Sequence, residues 1–174
     1  MDAFLSVVIG AISSLAASGL FLFCLFKLRP NIMISPYIAI SKSSEGSNEY
    51  RFKIINKTSR PIINLRVRIF VSNRKNVPDG VMVHNKRIPL AIEDVFQMPR
   101  YDLNDKNADY ARRFICKEDI NSLWEDKNGC TLKIIVMATD SLSGFSKVFI
   151  KEYHTKKNTL VEGSHRFGDS LEIL

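Results

Sequence analysis

Arg51 and Lys53 in YRFKIIN, and Arg66 and Arg68 in PIINLRVRIFVS, carry the clearest chemistry in this chain. Residues two apart on a strand point to the same side, so each pair forms a short cationic row. If the two segments pair as an antiparallel hairpin, all four cations share one face. Like charges opposite one another destabilise a sheet mildly, and an anion against that face would relieve the cost. Arginine and lysine rows of this kind suit phosphate oxygens. A solvated outer face is the plainer reading of the same pattern. Lys86, Arg87, Lys147, Lys151, Lys156 and Lys157 add to the basic total.

A second row has a different use. Ser6, Gly10, Ser14 and Ser18 recur every four residues, with Ser13 and Ala17 beside them. On a helix this spacing makes a stripe of small side chains. Small residues let helices approach closely, and serine hydroxyls can bond across the contact or meet water. The stripe therefore fits either a helix dimer or a ring of several copies with the stripe facing a central pore.

Catalytic chemistry is not indicated, and neither an enzyme nor a cofactor is expected. His84, His154 and His165 have no Cys or carboxylate partner at a metal-ligand spacing, and read as surface or turn residues. Asp102, Asp105 and Asp109 lack the Gly and Glu positions of a calcium loop. Cys24, Cys116 and Cys130 are odd in number and form no CxxC, so reduced thiols are expected.

The elements that position these residues begin with a membrane span. Residues 3–26 contain no charged side chain, and Lys27 and Arg29 follow at once. A helix of that length covers roughly 36 Å, enough for a hydrocarbon core of about 30 Å. A cleaved signal would have a basic start and a shorter apolar run, whereas the only charged side chain before this run is Asp2. All 25 Lys and Arg residues lie after the run. The positive-inside rule then puts the N-terminus outside and the rest of the chain in the cytoplasm. Two units follow, a transmembrane helix over 1–29 and a cytoplasmic domain over 30–174. The formal charge of the whole chain is +7, compatible with anionic lipid or nucleic acid.

Beyond Pro30 and Pro36 the dominant period is two. Tyr50, Phe52 and Ile54 form one apolar face; Leu65, Val67, Ile69 and Val71 form another. Further strands are expected at Val81–His84, Ile88–Phe96, Arg112–Cys116, Leu132–Thr139 and Phe145–Tyr153, with DSLSG as a hairpin turn between the last two. Residues 117–127 read as a helix ended by Asn-Gly at 128–129, and residues 101–110 as a long surface loop. The tail after His154 is expected to add an edge strand or an arm to a neighbouring subunit. Seven or more short strands with few helices imply an all-β, immunoglobulin-like antiparallel sandwich behind one transmembrane α-helix.

IIVMATDSLSGFSKVFIKEYH followed by GSHRFGDSL resembles the last strands of the cytoplasmic domain of inward-rectifier potassium channels. The matching positions are Asp140, Gly144, Tyr153, Gly163, His165, Arg166, Phe167 and Asp169. YRFKIINKTSRPIINLRVRIFV resembles that domain's first hairpin. No second span or selectivity filter is present in the sequence, so potassium selectivity is not implied. The resemblance implies an immunoglobulin-like sandwich, tetrameric assembly and gating by an anionic ligand. The architecture also resembles the membrane effectors of Hailong-type bacterial anti-phage defence. That likeness implies a poorly selective ion channel in the bacterial inner membrane, controlled by a single-stranded DNA oligomer or nucleotide that a partner nucleotidyltransferase makes. A non-channel membrane adaptor docking a cytosolic partner is the competing expectation.

Overall fold

The uncharged run forms one continuous helix, α1 (Asp2–Lys27). By length and composition its segment Ala3–Lys27 can cross a membrane. Its side chains are exposed along almost the whole length, consistent with a helix whose partners are lipid or other copies. In this computed structural model, residues 2–43, 46–125 and 129–174 are described, apart from the Asp2 side chain.

Among the described residues, alternation of apolar and polar residues organises the rest into ten strands. These are β1 (Ile32–Ile34), β2 (Ile38–Lys42), β3 (Asn48–Asn56), β4 (Ile62–Val77), β5 (Gly80–Ile88), β6 (Asp94–Met98), β7 (Ala111–Cys116), β8 (Cys130–Asp140), β9 (Ser146–Tyr153) and β10 (Leu160–Glu162). One sheet is built around β3, which pairs with β1 and β2 along one edge and β7 along the other; β10 adds to β2 in parallel. The other is built around β4, which pairs with β5 and β6 on one side and β8 on the other, with β9 outermost. Tyr50, Phe52, Ile54 and Phe114 of the first sheet meet Leu65, Val67, Ile69, Ile134 and Val136 of the second in one buried core. Phe52 and Phe114 stack with centroids 5.6 Å apart. Tyr153 of β9 ties the sheets together by donating its hydroxyl to Ser35 O at 2.6 Å.

The expected hairpin between β3 and β4 is not formed. The connection between them crosses from one sheet to the other, so Arg51 and Lys53 do not share a face with Arg66 and Arg68. Asn56 holds this crossing, donating through Nδ2 to Arg60 O and Pro99 O while its Oδ1 accepts Thr58 N–H. Buried amide bonds of this kind give the NKTSRP segment a fixed path in place of a two-strand turn.

Other expectations shift in detail. The strand expected over 88–96 is divided, because β5 ends at Ile88 before Pro89 and β6 starts at Asp94. The helix expected over 117–127 is one turn, α2 (Ile120–Leu123), capped by the Asp119 carboxylate on Asn121 N–H; residues 126–128 lie outside the described residues. Tyr50 donates to the same carboxylate, and burial together with that bond raises the Tyr50 pKa to about 12. The turn between β8 and β9 and the surface loop over 101–110 are formed as expected. At its far end β4 runs past Cys130, where β8 begins, and forms with β5 a two-stranded arm around residues 74–83.

The tail supplies an edge strand, β10, and then folds over the outer face of β3. Ser164 and Leu174 exchange both backbone bonds, and Arg166 N–H donates to Glu172 O. Gly163 turns the chain into this path with φ 131°, and an added Cβ would lie 2.1 Å from Leu174 O. Gly163→Ala is therefore expected to detach residues 164–174 and to cost about 2–3 kcal/mol, the sum of backbone strain and lost tail contacts. Chemical denaturation and C-terminal amide exchange would measure it; wild-type exchange rates in that segment would refute it.

Candidate functional site

Arg51 and Lys53 lie on the outer side of β3, where the tail covers them. Lys53 is buried, contrary to a surface cation. Its Nζ donates to Arg166 O at 2.9 Å, to Ser170 O at 2.9 Å and to Gly168 O. An ammonium has three protons, so this carbonyl cradle uses every donor. Burial is the main influence pulling the Lys53 pKa below its ordinary value, and Arg113 directly across on β7 acts in the same direction. Arg51 is half-buried and pairs with Glu49 at 2.7 Å. His165 is buried rather than a surface residue; its Nε2 donates to Arg51 O at 3.2 Å, and burial lowers its pKa. Beside it, Asp169 accepts from Tyr101 Oη at 2.8 Å and sits 3.5 Å from Lys57 Nζ. These contacts join the tail to the 101–110 loop over a small second core of Ile55, Ala108 and Tyr110. This face of the protein is closed by its own chain.

Arg66 and Arg68 remain together on the outer face of the other sheet. The register of β4 shifts between Ile63 and Arg66, and Asn64 there has φ 51°. This irregularity opens a shallow cleft of about 520 Å³ lined by Asn64, Arg66, Arg68, Asp94 and Phe96, among others. Arg68 is paired with two acids, 3.4 Å from Glu93 and 3.2 Å from Asp94, and its Nη1 donates to Val67 O and Glu93 O. Arg66 is exposed and forms no ion pair among the described residues. Phe96, 83% exposed, stands on the same cleft. A free guanidinium next to an accessible ring can engage a phosphate and stack a base, while Asp94 on the rim opposes an anion. Phe96 did not stand out in the sequence. Alternation from buried Val95 was the available signal, and it was obscured by the longer strand expected there.

The end of the β domain next to α1 contains a contact that sequence reasoning missed. Asp140 closes β8 fully buried. Its Oδ1 accepts Leu142 N–H at 3.0 Å and Ser143 N–H at 2.9 Å; its Oδ2 accepts Arg60 Nε–H at 2.9 Å. Burial alone would raise the Asp140 pKa, but these donors outweigh it and hold the carboxyl below its usual value. The turn so fixed reaches the end of α1. Ser143 Oγ donates to Leu28 O at 2.6 Å, and Phe145 stacks on Phe26 with centroids 5.2 Å apart.

Ser6, Gly10, Ser14 and Ser18 all lie on α1, and an added Cβ at Gly10 would meet nothing within 4 Å in the single chain. Cys116 and Cys130 are buried free thiols; Cys24 is exposed on α1. Among the described residues no group of three or more His, Cys, Asp or Glu is placed to hold a metal ion.

No protein-family model matches this chain, and no curated protein matches it. A solved structure described as the archaeal flagellum of Methanospirillum hungatei strain JF1 aligns over 94% of this chain and 86% of that chain, at 12% identity and a TM-score of 0.42. A likeness of that size bears on neither fold family nor function.

Proposed function

We propose that this chain is an oligomeric membrane effector. In this reading α1 anchors and assembles it, and an anionic, nucleotide-class ligand at Arg66, Arg68 and Phe96 controls the assembly. The carrying observation is the position of β8. It pairs with β4 at Arg66↔Met137 and Arg68↔Ile135, and three residues beyond Met137 it reaches Asp140 and the turn bonded to Leu28. A change at the cleft thus acts on a strand whose end holds the membrane helix. The immunoglobulin-like classification, a tetramer around the Ser6, Gly10, Ser14 and Ser18 stripe, and a poorly selective pore belong to this proposal. So do the bacterial inner membrane, an outside N-terminus, a non-enzymatic role and the setting of anti-phage defence with a nucleotidyltransferase partner. The resemblances in sequence support them. Arg51 and Lys53 leave the ligand site, since the tail occupies their face.

The test uses full-length protein in liposomes, single-stranded oligonucleotides and a dye-release readout. Binding should weaken steeply with salt, at about 0.7 counterions released per neutralised phosphate. Arg66→Glu with Arg68→Glu should weaken binding by at least about tenfold at low salt, as expected when two phosphate contacts become repulsions, and should change dye release. Arg66→Glu alone, which breaks no ion pair among the described residues, should weaken binding in the same direction while leaving the unfolding midpoint near wild type. Wild-type protein that binds no oligonucleotide overturns the ligand, and liposomes that stay sealed in every ligand condition overturn the pore.

The adaptor reading rests on one observation of its own. Val148 and Ile150 on the outer edge strand β9 are more than half exposed, an apolar face a protein partner could cover. Membrane depolarisation on overexpression separates the two readings, since an adaptor leaves the potential unchanged.

A further inference from the structure

We infer that the turn between β8 and β9 is a membrane foot, seated in the headgroup layer of an anionic bilayer with Leu142 in the acyl boundary. This rests on the reading that α1 crosses a membrane, and goes beyond it by placing part of the β domain in the lipid. Phe26 lies eleven residues from Leu15, near the middle of the uncharged run. At 1.5 Å per residue that is about 16 Å, close to half of a hydrocarbon core of about 30 Å. Phe26 therefore marks the lipid boundary. Phe145 is stacked on Phe26, and the hydroxyl of Ser143 is bonded to Leu28 O, so the turn is held at that level.

The side chains of the turn suit this depth. Leu142 at its apex is 69% exposed, a cost in water that the acyl boundary removes. Lys27 and Arg29 on the helix side, and exposed Lys147 two residues beyond Phe145, surround it with cations. The one carboxylate of the turn, Asp140, is buried and paired with Arg60, so no free acid in the turn repels anionic headgroups. Lys27 lies over the Phe23 ring and Arg29 over the Phe26 ring, an aromatic and basic arrangement typical of the interface. The rigid hydrogen-bonded form of the turn means Leu142 is presented without further ordering.

The test uses the full chain with Cys24→Ala and one added cysteine, labelled with nitrobenzoxadiazole, in phosphatidylcholine vesicles containing phosphatidylglycerol and nitroxide lipids. The buried Cys116 and Cys130 are shielded from the label, and burial raises the Cys116 pKa to about 11. Three positions are compared: Leu142→Cys, Ile12→Cys on the side of α1 away from the small-residue stripe, and Val77→Cys at the arm tip. Val77 lies fifteen residues along β4 from Ile62, the partner of Asp140, or about 50 Å away at strand rise. A label at position 142 should be quenched by shallow nitroxides at least about threefold more than one at 77, with position 12 quenched by deep ones. The quenching at 142 should weaken in pure phosphatidylcholine. A label at 142 as wet as at 77, with 12 deep, overturns the foot and leaves the span standing. A dry but unquenched label at 142 assigns the turn to a contact with a second copy and also overturns it. A wet label at 12 overturns the span and the foot together.

Discussion

Asp140→Ala is expected to lower the unfolding free energy by about 3–5 kcal/mol, because it leaves the half-buried Arg60 guanidinium and two turn amides without their shared acceptor. Asp140→Asn should cost less, since an amide oxygen can still accept Leu142 and Ser143 N–H while its NH₂ faces Arg60. The pH dependence has a definite sign. The folded pKa of Asp140 is depressed, so its contribution is complete above the unfolded value of about 3.9 and is lost as pH falls through the folded value. Wild-type stability should therefore drop in that acid window, and the Asp140→Ala curve should be flatter there. Denaturant unfolding between neutral pH and the acid limit measures both. Because the same carboxylate fixes the turn that holds Leu28 and Phe26, loss of stability should coincide with a freed helix end, seen as faster amide exchange in residues 141–145. Equal acid sensitivity in wild type and Asp140→Ala would remove the carboxylate from this role.

What the sequence made legible follows from the range of the forces involved. The span is a local property of residues 3–26, and α1 forms over that run. Strand faces are local too: Tyr50, Phe52 and Ile54 alternate inward as expected, and Leu65, Val67 and Ile69 do the same. Alternation states which side a residue faces, but not which strand lies beside it. For that reason β3 and β4, adjacent in sequence and both suited to a hairpin, end in different sheets. Lys53 illustrates the longest reach. Its cradle is supplied by carbonyls at positions 166, 168 and 170, more than a hundred residues away, and a period-two pattern cannot register a chain folding back over it. Asp140 and Arg60 are eighty residues apart, with no spacing to announce the pair. Arg66 and Arg68 were found because a cation on an exposed strand face keeps its local signature, whereas Phe96 took its meaning from the cleft formed by a bulge in another strand.

Lys53→Met should separate structure from recognition on the closed face. Methionine keeps most of the apolar stem and its packing, while the ammonium is lost and three carbonyls lose their donor. Each buried carbonyl left unsatisfied costs about 1–3 kcal/mol, but detachment of the tail lets water reach them, so a net loss of about 2–4 kcal/mol is expected. The loss should be local first. Ser164, Arg166 and Leu174 donate backbone bonds within the tail, so their amides should exchange faster while the strands of the core stay protected. Lys53→Arg should not rescue, because a planar guanidinium has a different shape from an ammonium bonded to three converging oxygens. Oligonucleotide binding then decides what the cation is for. With all three protons committed to carbonyls, Lys53 has none for a phosphate, so the salt slope of binding should be the same in Lys53→Met as in wild type, in contrast to Arg66→Glu with Arg68→Glu. A reduced slope in Lys53→Met with tail amides still protected would mean that the ammonium serves a phosphate and not the cradle, and would return the site to the β3 face.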